Sequence, residues 1–97
     1  MSSEFVIVTR HDGAVKWLET RRGITGNVIA HATPEDVRGK VVIGALPLHL
    51  AALTEAVGSI DMPRLSANQR GQDLTPEDMD AAGAYLSWYV VTATTQP

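Results

Sequence analysis

The 97-residue chain is 44% hydrophobic and 20% charged, an ordinary balance for a globular domain, and its length leaves no room for a second core. Eight Lys and Arg against eleven Asp and Glu give a net charge of −3, which argues against a broad basic face for duplex DNA, so any anion site has to be local. No apolar run is long enough for a membrane span, the N-terminus carries no leader-like pattern and there is no cysteine, so the expected compartment is the cytoplasm. The expectation is a single domain over residues 1–97. A domain of this size buries only about 60–65% of the surface its unfolded chain exposes, which favours a homodimer.

Phe5 to Val8 is an apolar, β-branched run too short for a helix and reads as a buried strand. After a turn through Thr9 to Gly13, Ala14, Trp17 and Leu18 fall at helical spacing, with Asp12 placed to cap the start and Arg21-Arg22-Gly23 to close the end. Asn27 to Ala30 predicts a second strand ending near His31, and Thr33 to Asp36 a polar turn with helical character. Val41 to Ile43 is the third strand. Pro47 then suits a first helical position, and Leu46, Leu50, Leu53 and Val57 predict a helix running to Gly58. Ile60 to Ser66 is the candidate fourth strand, weakened by Pro63, and residues 67–74 read as a polar loop. Thr75-Pro76-Glu77-Asp78 starts a helix whose core stripe is predicted to run through Met79, Ala82, Leu86 and Tyr89 or Val90, before a frayed tail from Thr92. Tyr85 and Trp88 lie off that stripe, free to cover a partner. Strands alternating with helices imply an α/β fold: a small Rossmann-like parallel sheet of about four strands flanked by about three helices.

Ligands of open parallel sheets bind beyond the carboxyl ends of the strands, where loops and helix starts converge. Thr9, Arg10 and His11 follow the first strand, Gly44 and His49 the third, and Ser66, Asn68, Gln69 and Arg70 the candidate fourth. Helix-start amides with an Arg fork favour a phosphorylated ligand. His49, placed near a helix start, is expected to be neutral and able to accept a proton, or else to tie down its neighbouring loop. Asp12 and Gly13 read as cap and turn, His31 as structural, and Arg70 as a clamp or a solvated loop residue. There is no Walker loop and no Gly-x-Gly-x-x-Gly fingerprint, and three scattered histidines without cysteine give no metal-ligand spacing, so neither metal nor cofactor is expected. Arg10-His11 also resembles the Arg-His-Gly motif of histidine phosphatases, but Asp12 stands in place of the Gly and the chain is far shorter than that family's domain.

The segments Val8-Thr9-Arg10-His11-Asp12-Gly13-Ala14 with Trp17, and Val42 through Ala51, with His31, Arg70-Gly71 and Leu74 to Met79, resemble the Csx-sixteen family of type III CRISPR accessory proteins. The resemblance covers nearly the whole chain. It departs at Asp12 and in a shortened stretch between Ser66 and Arg70. It implies a domain like the CARF nucleotide sensors, acting as a homodimeric ring nuclease that cleaves the second messenger cyclic tetra-adenylate without metal and ends an antiviral signal. Arg10 is then implied in phosphate stabilisation and His11 or His49 in proton transfer, with Thr9, Gly13, Gly44, Leu46, Pro47, Ser66, Asn68 and Arg70 as ligand-binding candidates. The competing readings are a non-catalytic binder of the same cyclic nucleotide, a histidine-phosphatase-like phosphohydrolase, and an interaction module built on Tyr85 and Trp88.

Overall fold

The computed structural model describes residues 5–70 and 72–94. Five strands form one sheet: Phe5–Val8 (β1), Gly26–Ile29 (β2), Val41–Gly44 (β3), Ala56–Asp61 (β4) and Tyr85–Tyr89 (β5). Their order is β2-β1-β3-β4-β5, parallel throughout except that β5 runs antiparallel to β4. The helices between them are Asp12–Arg22 (α1), Pro34–Val37 (α2), Leu48–Ala51 (α3) and Pro76–Ala81 (α4). This is a small Rossmann-like α/β fold.

Side chains alternate across a strand, so consecutive residues serve opposite faces. Ile7 and Ile43 meet Trp17 and Leu18 of α1 and Met79 of α4 on one face; Val6 and Val42 meet Val37 of α2 and Leu50 of α3 on the other. A strand covered on both sides has to be apolar at every position, which is why β1 and β3 read as unbroken runs. Burying each large aliphatic side chain contributes roughly 1.5–3 kcal/mol.

α1 and α4 are locked together by one carboxylate. Trp17 Nε1 donates to Asp80 Oδ1 at 3.0 Å, and Arg21 Nε donates to Asp80 Oδ2 at 2.9 Å. The Arg21 hydrogen bond, helped by that from Trp17 and by the Arg21 charge, holds the Asp80 carboxyl below the usual carboxylate range against a smaller opposing effect of burial.

Several boundaries differ from the sequence expectation. The helix expected through Val57 ends at Ala51, where Thr54 Oγ1 caps the Ala51 carbonyl at 2.7 Å. Val57 instead pairs beside Val42 in β4, so the fourth strand is Ala56–Asp61 rather than Ile60 to Ser66. β2 likewise starts one residue earlier than expected, at Gly26. Gly58, expected to stop a helix, lies inside β4 under the Trp88 ring, where a Cβ would come within 3.0 Å of ring carbon.

The helix begun at Pro76 stops at Ala81 and does not reach Val90. Gly83 takes φ 78, its N–H bonds the Asp80 carbonyl and that of Ala84 bonds Met79, a double closure that ends the helix and releases residues 85–89 to pair with β4. Tyr85 and Trp88 therefore sit on opposite faces of an edge strand, each partly exposed. The stretch 67–74 contains a 3-10 turn over Ala67–Gln69; residues 95–97 of the expected tail, and Gly71 of the Arg70-Gly71 pair, lie outside the described residues.

Candidate functional site

The chain leaves β1 for α1 on one face and β3 for α3 on the other, so the loops beyond these adjacent strands part and leave a crevice. Gly44 ends β3 with φ 147, and a Cβ there would stand 2.4 Å from the Val8 carbonyl oxygen. Only glycine lets the two strand ends close up at this point. The crevice holds ≈ 430 Å³ and is bordered by Thr9, Arg10, His11, Gly44, Ala45 and Met62. Of the rim expected from the sequence, the ends of β1 and β3 bring Thr9, Arg10, His11 and Gly44 together, while His49, Ser66, Asn68, Gln69 and Arg70 do not border this crevice.

His11 is the last residue before α1, in the N-cap position that the sequence had suggested for Asp12, and its side chain makes no capping bond. Its backbone N–H donates to Thr9 Oγ1 at 3.1 Å, which shapes the turn. Its Nδ1 lies 2.8 Å from Asp73 Oδ1. An ionised carboxylate only accepts, so Nδ1 carries the proton and Nε2 of the neutral ring is left as an acceptor. The two side chains are 49% and 85% exposed, so the pair adds little to stability and acts mainly to orient the ring.

Asp73 comes from a segment 62 residues away, and a close backbone contact puts it there. Gly13, in the first turn of α1, is pressed against the Leu74 carbonyl so tightly that a Cβ would lie only 1.7 Å from its oxygen. Directly after Leu74, Thr75 Oγ1 accepts the Asp78 N–H at 3.1 Å while the Asp78 carboxylate accepts the Thr75 N–H at 3.1 Å, a capping box that anchors α4. Gly13 is therefore first a packing residue. Asp73 is the site residue missed in the sequence: its nearest signal is its position just ahead of a capped helix start, which becomes useful only once α4 is known to pack on α1.

Arg10 NH2 lies 3.1 Å from Nε2 and 3.3 Å from Nδ1 of His31, which follows β2. Guanidinium only donates, so any hydrogen bond in this pair runs from Arg10 to the His31 ring, and the residue expected to be structural stands beside Arg10. Among the described residues, Arg10 is steered by this ring and makes no ion pair with a carboxylate. Leu46 and Pro47 line a neighbouring recess of ≈ 250 Å³ together with His31 and Val8. His49 is exposed on α3 and borders neither this recess nor the main crevice. α3 is a single turn of four residues, too short to develop the dipole on which its expected role rested.

Ser66 and Asn68 bind each other, with Ser66 Oγ donating to Asn68 Oδ1 at 2.6 Å, and so stabilise the 3-10 turn; Arg70 follows it, exposed. Among the described residues, no group of three or more His, Cys, Asp or Glu is placed to hold a metal ion, and no helix is long and apolar enough to cross a membrane.

Residues 6–92 match the model of the family described as "Putative CRISPR-associated protein (Cas_VVA1548)". No curated protein and no solved structure matches the chain.

Proposed function

Because the chain belongs to the CRISPR-associated family Cas_VVA1548, we propose that it is a ring nuclease that binds cyclic tetra-adenylate and cleaves it, switching off type III antiviral signalling. The observation that carries the reading is the His11–Asp73 pair beside Arg10 at the mouth of the crevice, a ring nitrogen left to accept a proton and a guanidinium on one rim.

In the proposed reaction His11 Nε2 takes the proton of a ribose 2′-hydroxyl, and O2′ attacks the adjacent phosphorus as the P–O5′ bond breaks. The departing O5′ takes a proton from water and the imidazolium returns its own to solvent. The products are a 2′,3′-cyclic phosphate and a 5′-hydroxyl. Asp73 holds the ring in the required tautomer and stabilises its cation, while Arg10 meets the charge that builds on the phosphoryl oxygens. The nucleophile is the substrate's own hydroxyl, so the route needs no metal-bound water. A homodimer presenting two such rims about a two-fold axis matches a ring of four equivalent nucleotides.

The test is to incubate the protein with cyclic tetra-adenylate in excess chelator and identify the products. Linear fragments ending in 2′,3′-cyclic phosphate are expected. Intact ring retained on the protein replaces the nuclease by a non-catalytic binder, and indifference to the ring overturns both.

A further inference from the structure

Beside His11, a second recess of ≈ 140 Å³ opens between the 3-10 turn and α4, and His11 forms a wall shared with the main crevice. Met62, Leu74 and Met79 give it apolar sides, and Gln69 and Gln72 supply its amides. That volume is on the scale of one planar ring system and too small for a whole nucleotide. Thioether sulfurs make favourable contacts with aromatic rings, which suits two Met walls to a flat base.

The hydrogen bonds already made by the two glutamines determine what each has left. Gln69 Oε1 accepts the Ser66 N–H at 3.2 Å, a bond only the oxygen end can make. Gln72 Nε2 donates to the Asn68 carbonyl at 2.6 Å, a bond only the nitrogen end can make. Gln69 therefore offers donors and Gln72 offers an acceptor, and among the described residues neither free end has a partner. Adenine presents an exocyclic amine donor next to a ring-nitrogen acceptor, whereas guanine and hypoxanthine carry an oxygen acceptor where adenine has that amine.

We infer that this recess is a base pocket that selects adenine, with Gln72 Oε1 accepting from the exocyclic amine and Gln69 Nε2 donating to the neighbouring ring nitrogen. The inference rests on reading the crevice as a nucleotide site, and makes Gln69 and Gln72 the specificity-determining residues of that site.

The test is to titrate isotopically labelled protein with adenosine 5′-monophosphate and with inosine 5′-monophosphate, following the side-chain amide signals of Gln69 and Gln72 and the methyl signals of Met62 and Met79. The adenine nucleotide is expected to shift all four and to bind about tenfold more tightly than the inosine nucleotide. Q72L is expected to erase most of that preference. Gln72 also ties down Asn68, so purine riboside 5′-monophosphate, which lacks the amine, makes the same deletion from the ligand side and is expected to bind as weakly as the inosine nucleotide. Equal affinities, or no response of these four residues to millimolar adenine nucleotide, overturn the inference. The readout is independent of cleavage: an adenine-selective recess in a protein that leaves the cyclic ring intact overturns the nuclease alone, and a cleaved ring with a base-blind recess overturns the pocket alone.

Discussion

Asp73 sets which nitrogen of the neutral His11 ring is left to accept a proton, so the two residues make a joint prediction. His11→Ala is expected to lower the single-turnover cleavage rate by about 10²- to 10⁴-fold and to remove the acid limb of its pH profile. Asp73→Asn should leave binding in place but lower the rate by up to about 10⁴-fold, since an amide no longer enforces the tautomer or stabilises the imidazolium. His49→Ala is expected to leave both rate and profile close to wild type, and a lost acid limb in that variant would move the base to His49. Arg10→Ala should cost about 10²- to 10³-fold in single-turnover rate with a smaller loss of affinity, because the guanidinium meets charge that is greatest in the transition state. Single-turnover kinetics at saturating protein separate the two effects.

At the scale of elements, two glycines and one carboxylate decide how the pieces meet. Gly83→Ala forces a side chain into a left-handed conformation and is expected to cost roughly 1–2 kcal/mol in denaturant melts. Gly44→Ala is expected to cost more, because its Cβ would meet the Val8 backbone, which cannot swing aside as a side chain would. The Asp80 contribution depends on pH. Its folded carboxyl titrates below its unfolded value, so the stability it gives the α1–α4 contact is complete above the ordinary carboxylate range and is lost as pH falls through the folded value. Thermal melts from about pH 6 down to about pH 3 should therefore show a shallower acid loss in Asp80→Asn than in wild type, and parallel curves would contradict this.

For the whole molecule, the proposed two-fold site requires two copies. The outer strand β5 leaves Tyr85 46%, Trp88 44% and Tyr89 52% exposed, and Leu48 of α3 is 75% exposed, side chains a second copy could cover. Light scattering at tens of micromolar protein is expected to give twice the mass of one chain, and a monomer with and without cyclic tetra-adenylate would remove the shared-site model.

Local signals were enough to read β1 and β3, whose apolar runs are too short for helices, and the starts of α2 and α4, whose Thr-Pro-acid signatures satisfy helix-start N–H groups with nearby side chains. They also placed Arg10 and His11 at a strand end, and so on the rim. The segments around Val57 and Leu86 have apolar spacing that suits either a helix or a strand, and pairing with β3 and β4 settled them as strands. Gly83 was visible in the sequence, but its capacity to end a helix counts only where the chain beyond it has a sheet edge to join. The partners of the site residues were beyond local reading: Asp73 meets His11 across 62 positions and His31 meets Arg10 across 21. Sequence alone determined which side chains stand at the ends of β1 and β3; the tertiary structure placed the end of β4 and decided the hydrogen-bond partners, because these are set by the packing of α4 on α1 and of β2 beside β1, contacts between segments remote in the chain.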